Sequence, residues 1–488
     1  MHRFWRKPRT THLAAAATLA LLAACATSSE LLPPTDGVHG RGWRVKIIPP
    51  AQQLTGGDPA RGFDVITSGA YLGTGLPAEV LRPALAKDSV GFLRDAGLVT
   101  PHGFAFFEAA NGVEVANGTC FTCHAGAVAG DTILGLGNSL GDYRGKLGFA
   151  ARLLNFRMRL RYRDGSPERE QFADFGHYFR AMAAGTHTNQ PRVNPAARIA
   201  ETIMRYRDPQ TLERRDEPAY AIAGYNIATD TPPLWNVAKK NALYYTAVGR
   251  GDFTKLIFQA SVLGIPDSAQ ARQAQRAFVD VLAWLRALEP PAYPGRIDTA
   301  LAASGRLLFA ETCAGCHGDY GALFSDRADD TYPNKVVSVD AVRTDPLYAA
   351  YAVTSEITDW YNASWFATSP PRSRFEPEPG YVAPPLDGVW ATAPYLHNGS
   401  VPTVWQLLDS RTRPTYWSRF SASAKTPSGA ADEYDHARLG WRHRALERPR
   451  GKHAYDTTLP GYGKDGHTYG DHLTDAQRGA VVEYLKTL

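Results

Sequence analysis

"NGTCFTCHAG", residues Asn117–Gly126, sets a pair of cysteines at CxxC spacing with a histidine directly behind the second: Cys120, Cys123 and His124. The spacing serves a zinc knuckle, a redox dithiol or a covalently tethered porphyrin, and the choice among them decides the fold. The chain holds five cysteines: Cys25, Cys120, Cys123, Cys313 and Cys316. The last two lie in "CAGCH" (Cys313–His317), a second copy of the pattern that ends in His317. Two such units and one cysteine near the N-terminus account for every thiol. None is left for a structural disulfide framework.

The two pairs stand 193 residues apart, from Cys120 to Cys313, much farther than the pairs of a four-cysteine zinc site usually lie. A thioredoxin-type dithiol needs a βαβ surround, which the sequence lacks. The histidine behind each pair discriminates. On a short helical turn, thiols at i and i+3 meet the two vinyl groups of a haem, and the next residue aims its imidazole at the iron. Both units are therefore expected to carry covalent haem c, two groups in all, with His124 and His317 as proximal ligands.

The N-terminus explains the fifth cysteine. Residues 1–12 carry Arg3, Arg6, Lys7 and Arg9 and no acid; an apolar run from Leu13 follows and ends in "LLAAC". A basic start and a short apolar run read as a secretory signal, too short to span a bilayer as a helix. Small residues ahead of Cys25 look like a bacterial lipobox, so residues 1–24 are expected to be removed and Cys25 lipidated, tethering the body to a membrane. The expected location is the bacterial periplasm or cell surface, with Ala26 favouring the outer membrane. The formal charge of +5 includes the four signal-peptide cations, which leaves the mature chain near +1 (5 less 4). Nothing in that balance points to nucleic acid or an acidic substrate. At 44% apolar and 21% charged the composition is that of an ordinary globular chain.

Two segments punctuate the mature chain. "TSSELLPPTDGVHGRG" (residues 27–42) reads as the polar end of a tether, and "LEPPAYPGR" (288–296) as a linker between domains. A weak repeat brackets that linker: Val281, Trp284, Leu285 and Leu288 match Val481, Tyr484, Leu485 and Leu488 at an offset of 200. Both segments carry apolar residues at helical spacing, and the second opens with a capping-box pattern, Thr474 and Gln477. Helices are expected at 77–88, 150–163, 196–207, 270–288, 300–313 and 474–488. Strand signals are sparse. The expected fold is mainly α, with two cytochrome c-like haem domains and long irregular loops, which a large flat cofactor can knit together. The boundaries are a tether at 25–42, an N-terminal extension at 43–104 packing on the first haem domain, the first domain at 105–290 and the second at 291–488.

The sixth ligands are harder to read. The chain has only Met1, Met158, Met182 and Met204, so the second domain offers no methionine to its own haem. Histidine is the substitute, and His467 in "KDGHTYG" leads, with His397 in "APYLHNGS" as the alternative; glycines beside both let backbone come close to a porphyrin. No ligand stands out for the first haem. Its methionines sit in amphipathic stretches, and His177 and His187 lack support.

"DTPPLWNVAKKNALYYTAVGRGD" (230–252) and "PPLDGVWATAPYLHNGSVPTVWQLL" (384–408) resemble the di-haem cytochrome c peroxidase superfamily. The resemblance puts Tyr245 where those enzymes carry an aromatic bridge between haems. It makes His397 a structural histidine and puts Arg411 where a methionine ligand would stand. "FTKLIFQASVLGI" (253–265) lacks the carboxylate that a peroxidase needs to shuttle a proton. "GTCFTCHAGAVAGDTILGLGN" (118–138), "YPNKVV" (332–337), "APYLHNGSVPT" (393–403) and "GDPARGFDVITSGAYLGTGLP" (57–77) are more similar to secreted di-haem cytochromes of the rubber oxygenase type.

That resemblance implies an oxidoreductase. Dioxygen or peroxide would be activated at the His124 haem, and electrons would pass through a haem held by His317 and His467. The implied partners are a small or apolar polymeric olefin and an electron-donor or acceptor protein. The alternatives are a peroxidase-type enzyme and a non-catalytic electron carrier.

Overall fold

The computed structural model describes residues 35–86, 99–145, 148–324, 330–421 and 427–488. The signal peptide, Cys25 with its expected lipidation, and the first part of the tether lie outside the described residues.

Each expected helix has a counterpart. Asp267 accepts from the backbone N–H groups of Ala269 and Gln270 and so starts helix Ser268–Ala287. Asp298 does the same at Leu301 for helix Thr299–Thr312. Thr474 and Gln477 form the expected reciprocal cap of helix Asp475–Leu485. Between the first two, residues 289–298 run without regular structure, as the prolines require.

The offset of 200 has a structural cause. In the second half, helix Thr299–Thr312 crosses helix Asp475–Leu485 so closely that a Cβ on Gly305 would lie 1.9 Å from the Ala480 carbonyl oxygen and 3.0 Å from Tyr484 Cβ. In the first half, helix Pro59–Ser68 crosses Ser268–Ala287, and a Cβ on Gly62 would lie 2.1 Å from the Asp280 carbonyl oxygen and 2.9 Å from Trp284 Cβ. Asp280 matches Ala480 and Trp284 matches Tyr484, so the same crossing is built twice. Only glycine lets the backbones meet there. Phe309 packs on Tyr484 with ring centroids 5.2 Å apart, and Phe63 on Trp284 at 5.8 Å. The stretch read as an extension, 43–104, thus supplies a helix to the first half. Its strand Val45–Ile47 pairs instead with Lys335–Ser338 of the second.

The fold is mixed rather than plainly mainly α. Six small antiparallel sheets are present among the described residues. Strand Lys335–Ser338 lies between Val45–Ile47 and Gly380–Val382, and Tyr416–Arg419 lies between His443–Leu446 and Ala454–Asp456. Most of these strands have two to four residues, too few to present the alternation by which a strand is read. Two principal cores result. One gathers Phe121, Phe258, Phe278 and Tyr361; the other gathers Trp390, Tyr434, Trp441 and Tyr484.

Candidate haem sites

At the first unit, Phe121 anchors the cysteine turn. Its ring is fully buried against Trp284, centroids 5.8 Å apart, and residues Phe121–His124 wind one short helix with Cys120 at its N-cap and Cys123 within it. Asn194 Nδ2 donates to Cys123 Sγ at 3.0 Å, and the Tyr143 and Tyr71 hydroxyls stand 3.6 Å from Cys123 Sγ and Cys120 Sγ. Burial pushes both thiols above their ordinary values. All four described cysteines are free, with no disulfide in either pair.

His124 is deeply surrounded by protein yet keeps accessible surface, as a side chain lining a cavity does. Burial pushes its imidazole down to about 4, partly offset by the Pro232 carbonyl that it faces. At the second unit the same relation is tight: His317 Nδ1 donates to the Pro384 carbonyl at 2.8 Å. A ring N–H held by a backbone carbonyl fixes the tautomer and leaves Nε2 free for a metal.

The two prolines open one loop, built twice at an offset of 152. Pro232-Pro233-Leu234 and Pro384-Pro385-Leu386 are each followed by a 3-10 turn, Val237–Lys239 and Val389–Ala391. Each loop then takes positive φ at matching points, 71° at Tyr244 and 66° at Leu396, then 53° at Ala247 and 67° at Gly399. Each closes through one bridge, Leu243 to Gly249 and Tyr395 to Val401. The sequence signal, a shared PPLxxV, is present but short, and sequence reading missed the correspondence. The repeat equates Tyr245 with His397, and the two rings meet at 6.4 Å between centroids. Tyr245 also packs in a cluster with Val339, Ala350 and Tyr381, so this first-half residue sits at the junction of the halves. Burial first, and then the Asp230 carboxylate, push its phenol well above its ordinary value.

Of the two candidate ligands for the second site, His467 is the one brought to His317. Their ring centroids are 6.2 Å apart, with the planes at 62°. Two imidazoles sharing one iron need about 2 Å for each metal–nitrogen bond and about 1 Å from nitrogen to ring centre, or about 6 Å in all. The residues therefore fit a bis-histidine haem. His467 Nδ1 is buried without a protein partner, and burial, then His317 and Arg413, push its ring down to about 3. His397 is stacked instead on Tyr381, centroids 4.1 Å apart and planes at 16°.

Arg413 explains how His467 is held, and sequence reading missed it. Its guanidinium donates to five carbonyls: Gln406 at 2.9 Å, Leu407 at 3.0 Å, Lys464 and Gly466 at 2.7 Å, and His467 at 3.1 Å. Gly466 at φ 74° and His467 at φ 46° both have left-handed backbone, a turn that an unclamped loop resists. A Cβ on Gly466 would meet Arg343 backbone at 2.2 Å.

At the first site no second ring faces His124 among the described residues. Met158 packs with Tyr162 and Phe172, Met204 lies in the core and Met182 packs against it. His177 rests between Tyr178 and Tyr206. Phe258 is turned into the core against Phe278, centroids 5.0 Å apart, whereas Ala260 is exposed. Gln259 Nε2 donates to the Tyr244 hydroxyl.

A family's sequence model described as "RoxA-like, cytochrome c-like" matches residues 380–418, the stretch that holds Pro384, His397, Arg411 and Arg413. Two uncharacterized proteins of Sinorhizobium fredii are similar to the chain. y4iM is 28% identical over 54% of this chain and 66% of its own length, and y4iJ is 29% identical over 41% of each. The matches thus span about two thirds and two fifths of those relatives. The chain carries a cytochrome c-like segment of the RoxA-like kind, and such a segment implies covalently bound haem c.

Proposed function

We propose that this chain is a di-haem c-type cytochrome working as an oxidoreductase, with dioxygen or peroxide reacting at the first site and electrons passing through the second. One observation carries this reading. His467 stands opposite His317 at a spacing that suits a shared metal, and His124 has no such counterpart among the described residues. When bound, haem c supplies one-electron redox chemistry and, where a protein ligand is missing, an open coordination position for a small oxidant.

The chain's own residues divide the work. Cys120 and Cys123, like Cys313 and Cys316, are the thioether donors. His124 and His317 ligate, and the Pro384 carbonyl orients His317. Arg413 holds the turn that presents His467. Tyr245 and His397 bridge the two halves. Each half is a cytochrome c-like unit closed by one glycine crossing, so the first unit includes helix Pro59–Ser68 together with 105–290, and the second is 291–488. The signal peptide and a lipidated Cys25 make this an exported, membrane-tethered protein.

An apolar olefin is the favoured substrate, polymeric or small, because the segment 253–265 offers no carboxylate to move a peroxide proton. Oxidative cleavage of its double bond by dioxygen leaves one oxygen atom on each new carbonyl. The test is to incubate exported, haem-loaded protein with polyisoprene under isotopically labelled dioxygen. Labelled carbonyl end groups are the expected result. Peroxide-dependent oxidation of a reduced c-type donor without polymer cleavage would favour the peroxidase reading. Inertness towards both would leave an electron carrier and overturn the proposal.

A further inference from the structure

Helix Gly148–Arg161 is inside out. Helices on a protein surface turn their apolar stripe to the core, but this one buries Ala151, Asn155 and Met158 and leaves its largest apolar side chains in solvent. Phe149 is 71% exposed, Phe156 58% and Leu160 72%. With half-buried Leu153 between them, these residues fall at i, i+4, i+7 and i+11. At about 100° per residue they form one stripe about 60° wide and about 16 Å long, facing away from the buried side.

Arginines line both margins of that stripe. Arg152 and Arg159 fall about 60–80° to one side of Phe149, and Arg157 falls about 80° to the other. Arg163 follows just beyond the helix end. The helix contains no acidic residue. Arg161 is paired with Glu79 at 3.3 Å, but Arg152, Arg157, Arg159 and Arg163 have no carboxylate partner among the described residues. The partner of such a face must accept apolar side chains in its centre and supply dense negative charge around them. A folded acidic protein seldom joins both along one straight strip. A leaflet of anionic phospholipid does so everywhere, with acyl chains below and phosphates at the level the arginine stems reach.

We propose that helix Gly148–Arg161 is a membrane-surface contact that lies flat on anionic phospholipid, inserts Phe149, Phe156 and Leu160, and sets Arg152, Arg157, Arg159 and Arg163 against headgroup phosphates. This surface uses none of the residues assigned to hold a haem and does not depend on an acyl group at Cys25. It would orient the body on the bilayer, which an acyl anchor at one end does not do alone.

The test uses the haem-loaded mature chain carrying Cys25→Ser, so that no acyl group contributes, and vesicles of phosphatidylcholine with or without phosphatidylglycerol. The expected result is co-flotation with anionic vesicles only, reversed by salt as screening demands. Phe156→Glu with Leu160→Glu should abolish flotation, and Arg152→Gln with Arg157→Gln should weaken it about fivefold per arginine. Unchanged haem absorbance in both variants would show that the fold is intact. Failure of the parent chain to float, or equal flotation on both vesicle types, would overturn the proposal. So would a dimer that the Phe156/Leu160 variant turns into a monomer while vesicle binding stays unchanged.

Discussion

The two cysteine–histidine units share a cysteine turn, a Pro-Pro-Leu loop beside the histidine and a glycine-mediated helix crossing, yet among the described residues only the second has another histidine, His467, set opposite its own. Its additional part is a loop, residues 464–467, pinned by one arginine into a left-handed turn. The first unit keeps the frame, and no such clamp is found for it among the described residues. Two units with one architecture can therefore do different work when a single loop decides whether the far side of the metal is occupied.

Breaking the clamp is the harshest way to erase that difference. Arg413→Leu leaves five buried or part-buried carbonyls without their donor and should cost about 3–5 kcal/mol, releasing His467 as well. Denaturant unfolding and the spin state of the second haem should change together. The glycine crossings come next. Gly305→Ala drives a methyl into Ala480 backbone and should cost about 1–3 kcal/mol, at the upper end because backbone cannot step aside. Gly62→Ala should cost a similar amount, and a much smaller loss by thermal melting would show that the two crossings are not equivalent.

Asp230 sharpens the comparison at the junction of the halves. Its enclosed carboxyl is pushed well above the ordinary range by burial, opposed by the Thr231 N–H. The folded state therefore holds a proton that the unfolded chain releases above about pH 4. The stability from this group is full below that pH and falls as pH rises through the raised value. Asp230→Asn should remove this decline and make the protein about 1–2 kcal/mol more stable near neutrality. Melting curves across pH 4–8 test the slope. Tyr245→Phe should have the smallest effect on stability, within about 1 kcal/mol. It should nevertheless slow electron exchange between the two haems in flash photolysis, because phenylalanine is far harder to oxidise where Tyr245 meets His397.

Much of this was legible in the sequence, for identifiable reasons. Cys120–His124 and Cys313–His317 are local patterns in which the histidine behind each pair, and not the spacing alone, points to a haem. The Thr474 cap and the 288–296 linker depend on a few adjacent residues. His467 over His397 followed from elimination and resemblance together. Contacts between remote segments were not legible. Strand Val45–Ile47 pairs with residues about 290 positions away, and three-residue strands carry no periodicity. Arg413 looks like any arginine until the loop it holds is folded around it. Gly62 and Gly305 are ordinary glycines until their partner helices arrive. The 152-residue repeat shares little beyond PPLxxV and a backbone shape, so Tyr245 and His397 could not be matched by composition.

The central claim is the unequal pair: one metal position closed by two histidines, the other open. Absorption and EPR spectra of exported holoprotein, with and without carbon monoxide, and of its His467→Ala variant test it most directly. Two haems per chain are expected, one responding to carbon monoxide and one low-spin and inert, with the inert one becoming responsive in the variant. Two inert haems in the parent protein, or an inert haem untouched by loss of His467, would contradict the account.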